Sequence, residues 1–207
     1  TFELSDANNA VLLRQTEGQY DWTPVEDIKV GPQPSYRIPN PERRTEDDWL
    51  QVGKEEELDG NILMALQTYN EALRRFAESF ELHKAEGRLY ASLLRFEEAK
   101  RDLEAVHARN TSDAEISYYL GISYDGLGQN REARESYEAA ARQSGFRAAA
   151  GLRLAELSAR EGNPKQAEPY LQLAMHAAPD DLRSAEELKA ILKAEGEKEK
   201  SQKLAQE

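Results

Sequence analysis

From Glu46 to Asp181 the small and apolar positions return every 34 residues without an insertion. Windows opening at Glu46, Phe80, Ala114 and Ala148 align position by position. The eighth place holds Gly53, Gly87, Gly121 and Ala155, and the twentieth holds Ala65, Ala99, Ala133 and Ala167. The twenty-seventh holds Ala72, Val106, Ala140 and Ala174, and the twenty-fourth holds Tyr69, Leu103, Tyr137 and Leu171. Gly60, Leu94, Gly128 and Gly162 take the fifteenth. The pattern predicts two helices of about 13 residues per window, crossing closely where small side chains let the backbones meet. The twenty-fourth residue fills the gap beside that contact. Glycine at the fifteenth place ends the first helix, because glycine reaches positive φ cheaply. One such pair cannot bury its own apolar face, whereas stacked pairs can.

Candidate caps agree with these boundaries. Thr45, Ser79 and Ser112 or Asp113 precede the first helices, and Ser112 with Glu115 spells a capping box. Asn163-Pro164 reads as an N-cap followed by proline at the first helical position. Pro169 falls a turn inside the last second helix, which predicts a kink there or a late start. Beyond Asp181, Leu182, Ala185, Leu188 and Leu192 recur at helical spacing. They predict a capping helix over 182–196, polar on its outer face. Residues 197–207 read as a disordered tail.

The repeat resembles the tetratricopeptide repeat. Trp49, Gly53, Gly60, Ala65, Tyr69 and Ala72 fall where that family expects them, and Pro179 takes its closing proline position. The departures are His83, Ser117 and Gly151 at the Trp position, and Glu86 where an apolar residue is usual. The resemblance implies an all-α fold, a right-handed superhelix with repeats 46–79, 80–113, 114–147 and 148–181. It spans about two thirds of the chain.

Residues 1–45 have a different grammar. Thr1–Asp6 and Val11–Thr16 are short, partly alternating runs that predict a β-hairpin. An isolated hairpin is marginal in water, so this one is expected to pack on the solenoid or belong to a larger sheet. Residues 20–44 carry Pro24, Pro32, Pro34, Pro39 and Pro41 beside Tyr20, Trp22 and Tyr36. They predict an extended arm lying against the first helices and covering their apolar edge. A disordered interdomain linker is the alternative. The stretch from Gln19 to Pro34 is also similar to a bacterial family in which a β-rich domain resembling sugar-active enzymes precedes the repeats. That similarity implies an upstream domain whose trailing edge is the hairpin.

Composition narrows the function classes. The 207 residues are 39% hydrophobic and 32% charged, with a formal net charge of -12. So acidic a surface disfavours nucleic acid and anionic membranes, and no apolar run approaches the roughly 20 residues of a membrane span. With no cysteine, disulfides, thiolate zinc sites and thiol nucleophiles are excluded. The chain opens at Thr1 without a signal-like start, which reads as a processed or excised piece of a longer protein. The compartment stays open between cytoplasm and export.

Catalytic signals are poor. His83, His107 and His176 lack an i, i+4 partner or a Cys neighbour, so structural roles are expected for His107 and His176. Adjacent acid pairs such as Asp47-Asp48 and Glu97-Glu98 diverge by about 100° on a helix and do not converge on a substrate. No cofactor and no metal are expected.

The family resemblance implies that ligand contacts come from the first helix of each repeat. Residue by residue these are Leu50, Lys54 and Glu57, then Glu81, Lys84 and Arg88. Tyr118, Ile122 and Asp125 follow, then Leu152, Glu156 and Arg160. Lys54, Lys84 and Arg88 read as a basic cluster, with Tyr118, Ile122 and Leu152 as an apolar strip beside it. The expected partner is a protein or peptide with an acidic group and an apolar anchor. The chaperone-tail clamp of some family members is disfavoured, because Leu50, Ala85, Glu115 and Tyr119 occupy four of its positions. The function expected is a non-catalytic interaction module. The alternative is an intramolecular scaffold or dimerisation module for an upstream, carbohydrate-active domain.

Overall fold

The computed structural model describes residues 2–6, 9, 11–15, 39–180, 182–187, 190, 191, 193 and 196. The chain divides into two compact units, Thr1–Arg37 and Ile38–Glu207. In the first, strands β1 (Phe2–Ser5) and β2 (Val11–Gln15) form an antiparallel pair. Phe2 stands opposite Gln15 and Leu4 opposite Leu13, with a register shift between Leu4 and Ser5. Asn9 turns the chain with φ 62°, a conformation asparagine tolerates better than most residues.

Among its described residues the second unit holds eight helices in consecutive pairs, followed by a helical stretch at 182–187. They are α1 (Glu46–Leu58), α2 (Ile62–Leu73), α3 (Phe80–Ser92), α4 (Phe96–His107), α5 (Ala114–Gly126), α6 (Asn130–Ala141), α7 (Ser144–Arg160) and α8 (Pro164–Ala177). The second helices start at 62, 96, 130 and 164, each 34 residues after the last. The first helices keep that interval until α7, which begins at Ser144 rather than at residue 148. Capping explains the difference. Thr45 accepts from the Asp48 N–H, Ser79 from Leu82, and Asp113 from Glu115 and Ile116. The equivalent place in the fourth repeat is Arg147, which offers no acceptor, so the helix runs on backwards by a turn.

Two cap expectations need correction. Asp113 rather than Ser112 caps α5, because Ser112 is engaged with the Asn110 side chain, its N–H and Oγ both donating to Asn110 Oδ1. Asn163 precedes Pro164 as expected, but its side chain makes no cap bond. Of the two outcomes expected from Pro169, a kink or a late start, the late start is not seen. Pro164 begins the helix in phase with its counterparts, and Pro169 is accommodated inside it.

The turns between paired helices use a left-handed residue, at φ 78° for Gly60, 72° for Gly128 and 78° for Gly162. The second repeat has Leu94 there, at φ 60°. A β-carbon is disfavoured in that conformation by about 1–2 kcal/mol, and the Leu94 side chain is largely exposed. Leu94→Gly is therefore expected to stabilise the chain by about 1 kcal/mol, after the greater entropy of unfolded glycine is subtracted. A rise in the urea midpoint at unchanged m-value would show it.

Packing follows the eighth and twenty-fourth places. Tyr69, Leu103, Tyr137 and Leu171 are fully buried. A β-carbon at Gly53 would lie 2.2 Å from the Tyr69 ring, one at Gly87 2.6 Å from Leu103, and one at Gly121 2.5 Å from Tyr137. Three core clusters run along the unit, and Ile122 and Tyr124 pack against both the first and the second.

Of the proline-rich arm, residues 20–38 lie outside the described residues. Its end, a 3-10 turn at Pro41–Arg43, is tied to the first repeat. Arg75 donates to the Pro41 and Glu42 carbonyls at 3.1 Å each, and the Arg44 guanidinium lies 4.5 Å from the Trp49 ring centroid. At the other end, residues 182–187 are helical. Leu182 is exposed, Ser184 is buried, and Ile191 packs on the last core cluster. Leu188, Leu192 and residues 197–207 lie outside the described residues. No helix among the described residues is long and apolar enough to cross a membrane.

Candidate functional site

The first helices form one row, in which α3 packs on α5 and α5 on α7. Residues spaced by about one repeat therefore meet across neighbouring helices. Those charges pair with each other. Arg88 donates to Glu57 Oε1 at 2.6 Å and lies 3.7 Å from Glu115. Lys84 reaches both Asp113 and Glu115 at 2.8 Å. Burial opposes the charge on Lys84, yet its bonds to Asp113 and Glu115 outweigh it and hold its pKa above the ordinary lysine value. Further along, Arg160 pairs with Asp125, and Glu156 pairs with Arg153 at 2.9 Å and with Arg183.

The basic cluster expected from the sequence is therefore not a free one. Lys84 and Arg88 are neutralised by Glu57 of the first repeat, Glu115 of the third, and Asp113, which caps α5 at the boundary between the second and the third. Lys54 is exposed and enters no ion pair among the described residues. Leu50 also departs from expectation. It is 8% exposed and part of the first core cluster, so it supports the row and does not line its surface.

Tyr118, Ile122 and Leu152, the residues of the expected apolar strip, are each half-buried. The Tyr118 ring lies 5.5 Å from Tyr119, 5.4 Å from Phe146 and 5.9 Å from Tyr137. Ile122 packs between the first two clusters and Leu152 against the third. Tyr119 lies edge-on to Tyr118, and Glu115 lies near Arg88, although sequence reasoning assigned neither a positive role. The signal was the repeat interval itself, since Lys84 and Glu115 lie 31 residues apart, as do Glu57 and Arg88.

A second polar cluster lies inside the second repeat. Glu86 is buried beside Asp102, and its carboxylate accepts from Tyr90 Oη at 3.2 Å. Burial first, then the Asp102 charge, pushes the Glu86 carboxyl up to about 7 from 4.5. The folded chain thus holds a proton that the unfolded chain releases between those values. The sign follows: stability falls as pH rises through this window. Glu86→Gln, which keeps the shape without the charge, is expected to flatten that fall and to be more stable than the wild type at pH 8 by about 1–2 kcal/mol. Urea unfolding at pH 4.5 and pH 8 measures it.

Of the remaining histidines, His107 has a buried Nδ1 without a hydrogen-bond partner. His176 lies on the surface near Arg147 and Pro169.

No family model and no curated protein sequence matches this chain. Solved structures do. A crystal structure of MamA superposes with a TM-score of 0.65 at 17% identity, covering 76% of this chain and 86% of that one. PilF of Pseudomonas aeruginosa gives 0.65 at 19% identity, covering 73% and 69%. MamA from Desulfovibrio magneticus RS-1 gives 0.60 at 21% identity, covering 68% and 79%. With the 34-residue interval and the small-residue crossings, these likenesses show that the helical unit has the tetratricopeptide-repeat fold.

Proposed function

We propose that this chain is a non-catalytic interaction module that holds a peptide or a partner domain on its row of first helices. One observation carries the reading. Tyr118, Tyr119, Ile122 and Leu152 keep apolar surface half-open on that row, while the cations beside them are already paired. Affinity then rests on an apolar anchor. An acidic group on the partner would have to displace Glu115 from Lys84 and Arg88, which leaves Lys54 as the simpler cation to meet it. Asp125 and Arg160 join α5 to α7, Glu156 joins α7 to the helical stretch at 182–187, and these pairs act as the frame of the surface.

Burying one large apolar side chain contributes about 1.5–3 kcal/mol, and an exposed ion pair about 0–1. Partners captured by the wild-type chain are therefore expected to bind Tyr118→Ala or Ile122→Ala about tenfold or more weaker, and Lys54→Ala less than about fivefold weaker. Circular dichroism would confirm that each variant is folded. Unchanged binding of every captured partner by both apolar variants would remove this surface from consideration.

The hairpin favours a second reading, that of a scaffold positioning or dimerising an upstream, carbohydrate-active domain. Its two strands form a sheet with Leu4 and Val11 about half exposed, which suits strands that continue a larger sheet. In a longer protein carrying this chain, deletion of 46–193 separates the two readings. Loss of partners supports the first, and loss of dimerisation or upstream activity with partners retained supports the second.

A further inference from the structure

We propose that His83, Glu86 and Asp102 form a binding site for a divalent first-row transition ion that pins α3 to α4 within the second repeat. One nitrogen and two carboxylates, one atom from each residue, lie within 4.8 Å of one another. His83 and Glu86 are one turn apart on α3, and α4 brings in Asp102.

The hydrogen-bond inventory points to a cation. His83 Nε2 lies 2.8 Å from the Ala77 carbonyl oxygen. A carbonyl only accepts, so Nε2 carries the hydrogen and the neutral ring turns a bare lone pair inward at Nδ1. That Nδ1 is buried without a hydrogen-bond partner, and so is Asp102 Oδ2. The Asp102 side chain is only 6% exposed, and its Oδ1 lies 4.0 Å from Nδ1, too far for a hydrogen bond.

Three groups that can accept therefore face one another, and at most one hydrogen, carried by Glu86, is available among them. A proton on Glu86 would relieve the two carboxylates but would leave Nδ1 unmatched. A metal ion satisfies all three and is neutralised by the two acids.

The surroundings suit ligands held in place. The Ala77 carbonyl fixes the imidazole tautomer, the usual second partner of a metal-binding histidine. Tyr90 Oη donates to Glu86 at 3.2 Å and accepts from Asn70 at 3.1 Å. Arg101 Nε donates to Asp102 Oδ1 at 3.2 Å, which leaves Oδ2 for the ion. One imidazole with two carboxylates selects zinc, cobalt or manganese over calcium, which takes oxygen alone. Zinc bonds of about 2.0–2.2 Å place tetrahedral ligands roughly 3.3 Å apart, so the three side chains must draw in when the ion binds.

The other repeats lack the set. Trp49, Val52 and Thr68 occupy the same places in the first, Ser117, Leu120 and Ser136 in the third, and Gly151, Leu154 and Tyr170 in the fourth.

The test uses the full chain after dialysis against a chelator, with Zn2+ titrated by calorimetry and Co2+ followed by visible absorption. About one Zn2+ per chain is expected to bind at micromolar or tighter affinity and to raise the melting temperature. His83→Ala is expected to weaken binding about tenfold or more and to abolish the Co2+ band. Absence of saturable binding up to about 1 mM ion would overturn the proposal, as would unchanged affinity in His83→Ala, which would assign the ion to surface acids. Should that variant fail to fold, imidazole nitrogen NMR of the wild type decides. A Zn2+-dependent shift confined to His83, with His107 and His176 unmoved, supports the site, and no shift at His83 overturns it.

Discussion

Tyr137→Ala is expected to destabilise the chain by about 3–5 kcal/mol, the range for emptying a fully buried aromatic site. The ring lies against Gly121 and belongs to the cluster with Ala133, Ala140 and Leu154. Small neighbours have little side chain with which to close the gap, which puts the loss at the upper part of that range. The complementary change is Gly121→Ala. Its β-carbon would fall 2.5 Å from the Tyr137 ring, and a ring held by two helices cannot step aside. Overpacking costs about 1–3 kcal/mol, partly offset by the better helix propensity of alanine. The fourth repeat shows the remedy, because it places Ala155 with Leu171. Gly121→Ala combined with Tyr137→Leu should therefore be more stable than the sum of the two single changes predicts, by about 1–2 kcal/mol in a double-mutant cycle. Additive losses in urea unfolding would show that the two side chains do not share one space.

Arg88→Met is expected to be the most damaging change on the first-helix row, at about 2–3 kcal/mol. Glu57 accepts from both Arg88 and Tyr69 Oη, the latter at 2.7 Å. Its side chain is 13% exposed, against 25% for Arg88. Removing the guanidinium strands a mostly buried carboxylate, and the usual loss for a buried pair is reduced here by the partial exposure of the arginine. Burial also opposes the charge on Arg88, but Glu57 outweighs it and raises the arginine pKa further. Glu57→Gln together with Arg88→Met should recover about half of the loss or more. Arg95 and Glu98 provide the contrast. Their side chains are 47% and 34% exposed, and Arg95→Ala should cost less than about 1 kcal/mol and vanish into the error at high salt. Because Arg88 links the second repeat to the first and the third, its loss should also broaden the unfolding transition, as expected when neighbouring repeats are uncoupled.

The repeat was legible because its cause is local and recurs. Closely crossing backbones demand small side chains, and a positive-φ turn favours glycine, so a 34-residue interval identifies the helix pairs without coordinates. The caps at Thr45, Ser79 and Asp113 were legible for the same reason, and where Arg147 replaced a capping residue the helix lengthened as that rule requires. By itself, then, the sequence determined the helical repeat, its phase and its packing pairs.

Only the tertiary structure decided which charges are free. Lys84 and Arg88 read as open cations because Glu57, Asp113 and Glu115 lie about a repeat away along the chain, and superposition of the helices alone makes them neighbours. Burial likewise took Leu50 out of the surface. His83 and Glu86 were visible as departures from the repeat, but Asp102 sits on the paired helix, and one-helix spacing rules cannot see across a turn. Pairing and burial are properties of distance in space. Short-range patterns fix the path of the backbone, while the energy of a charge is set by whatever that path brings beside it.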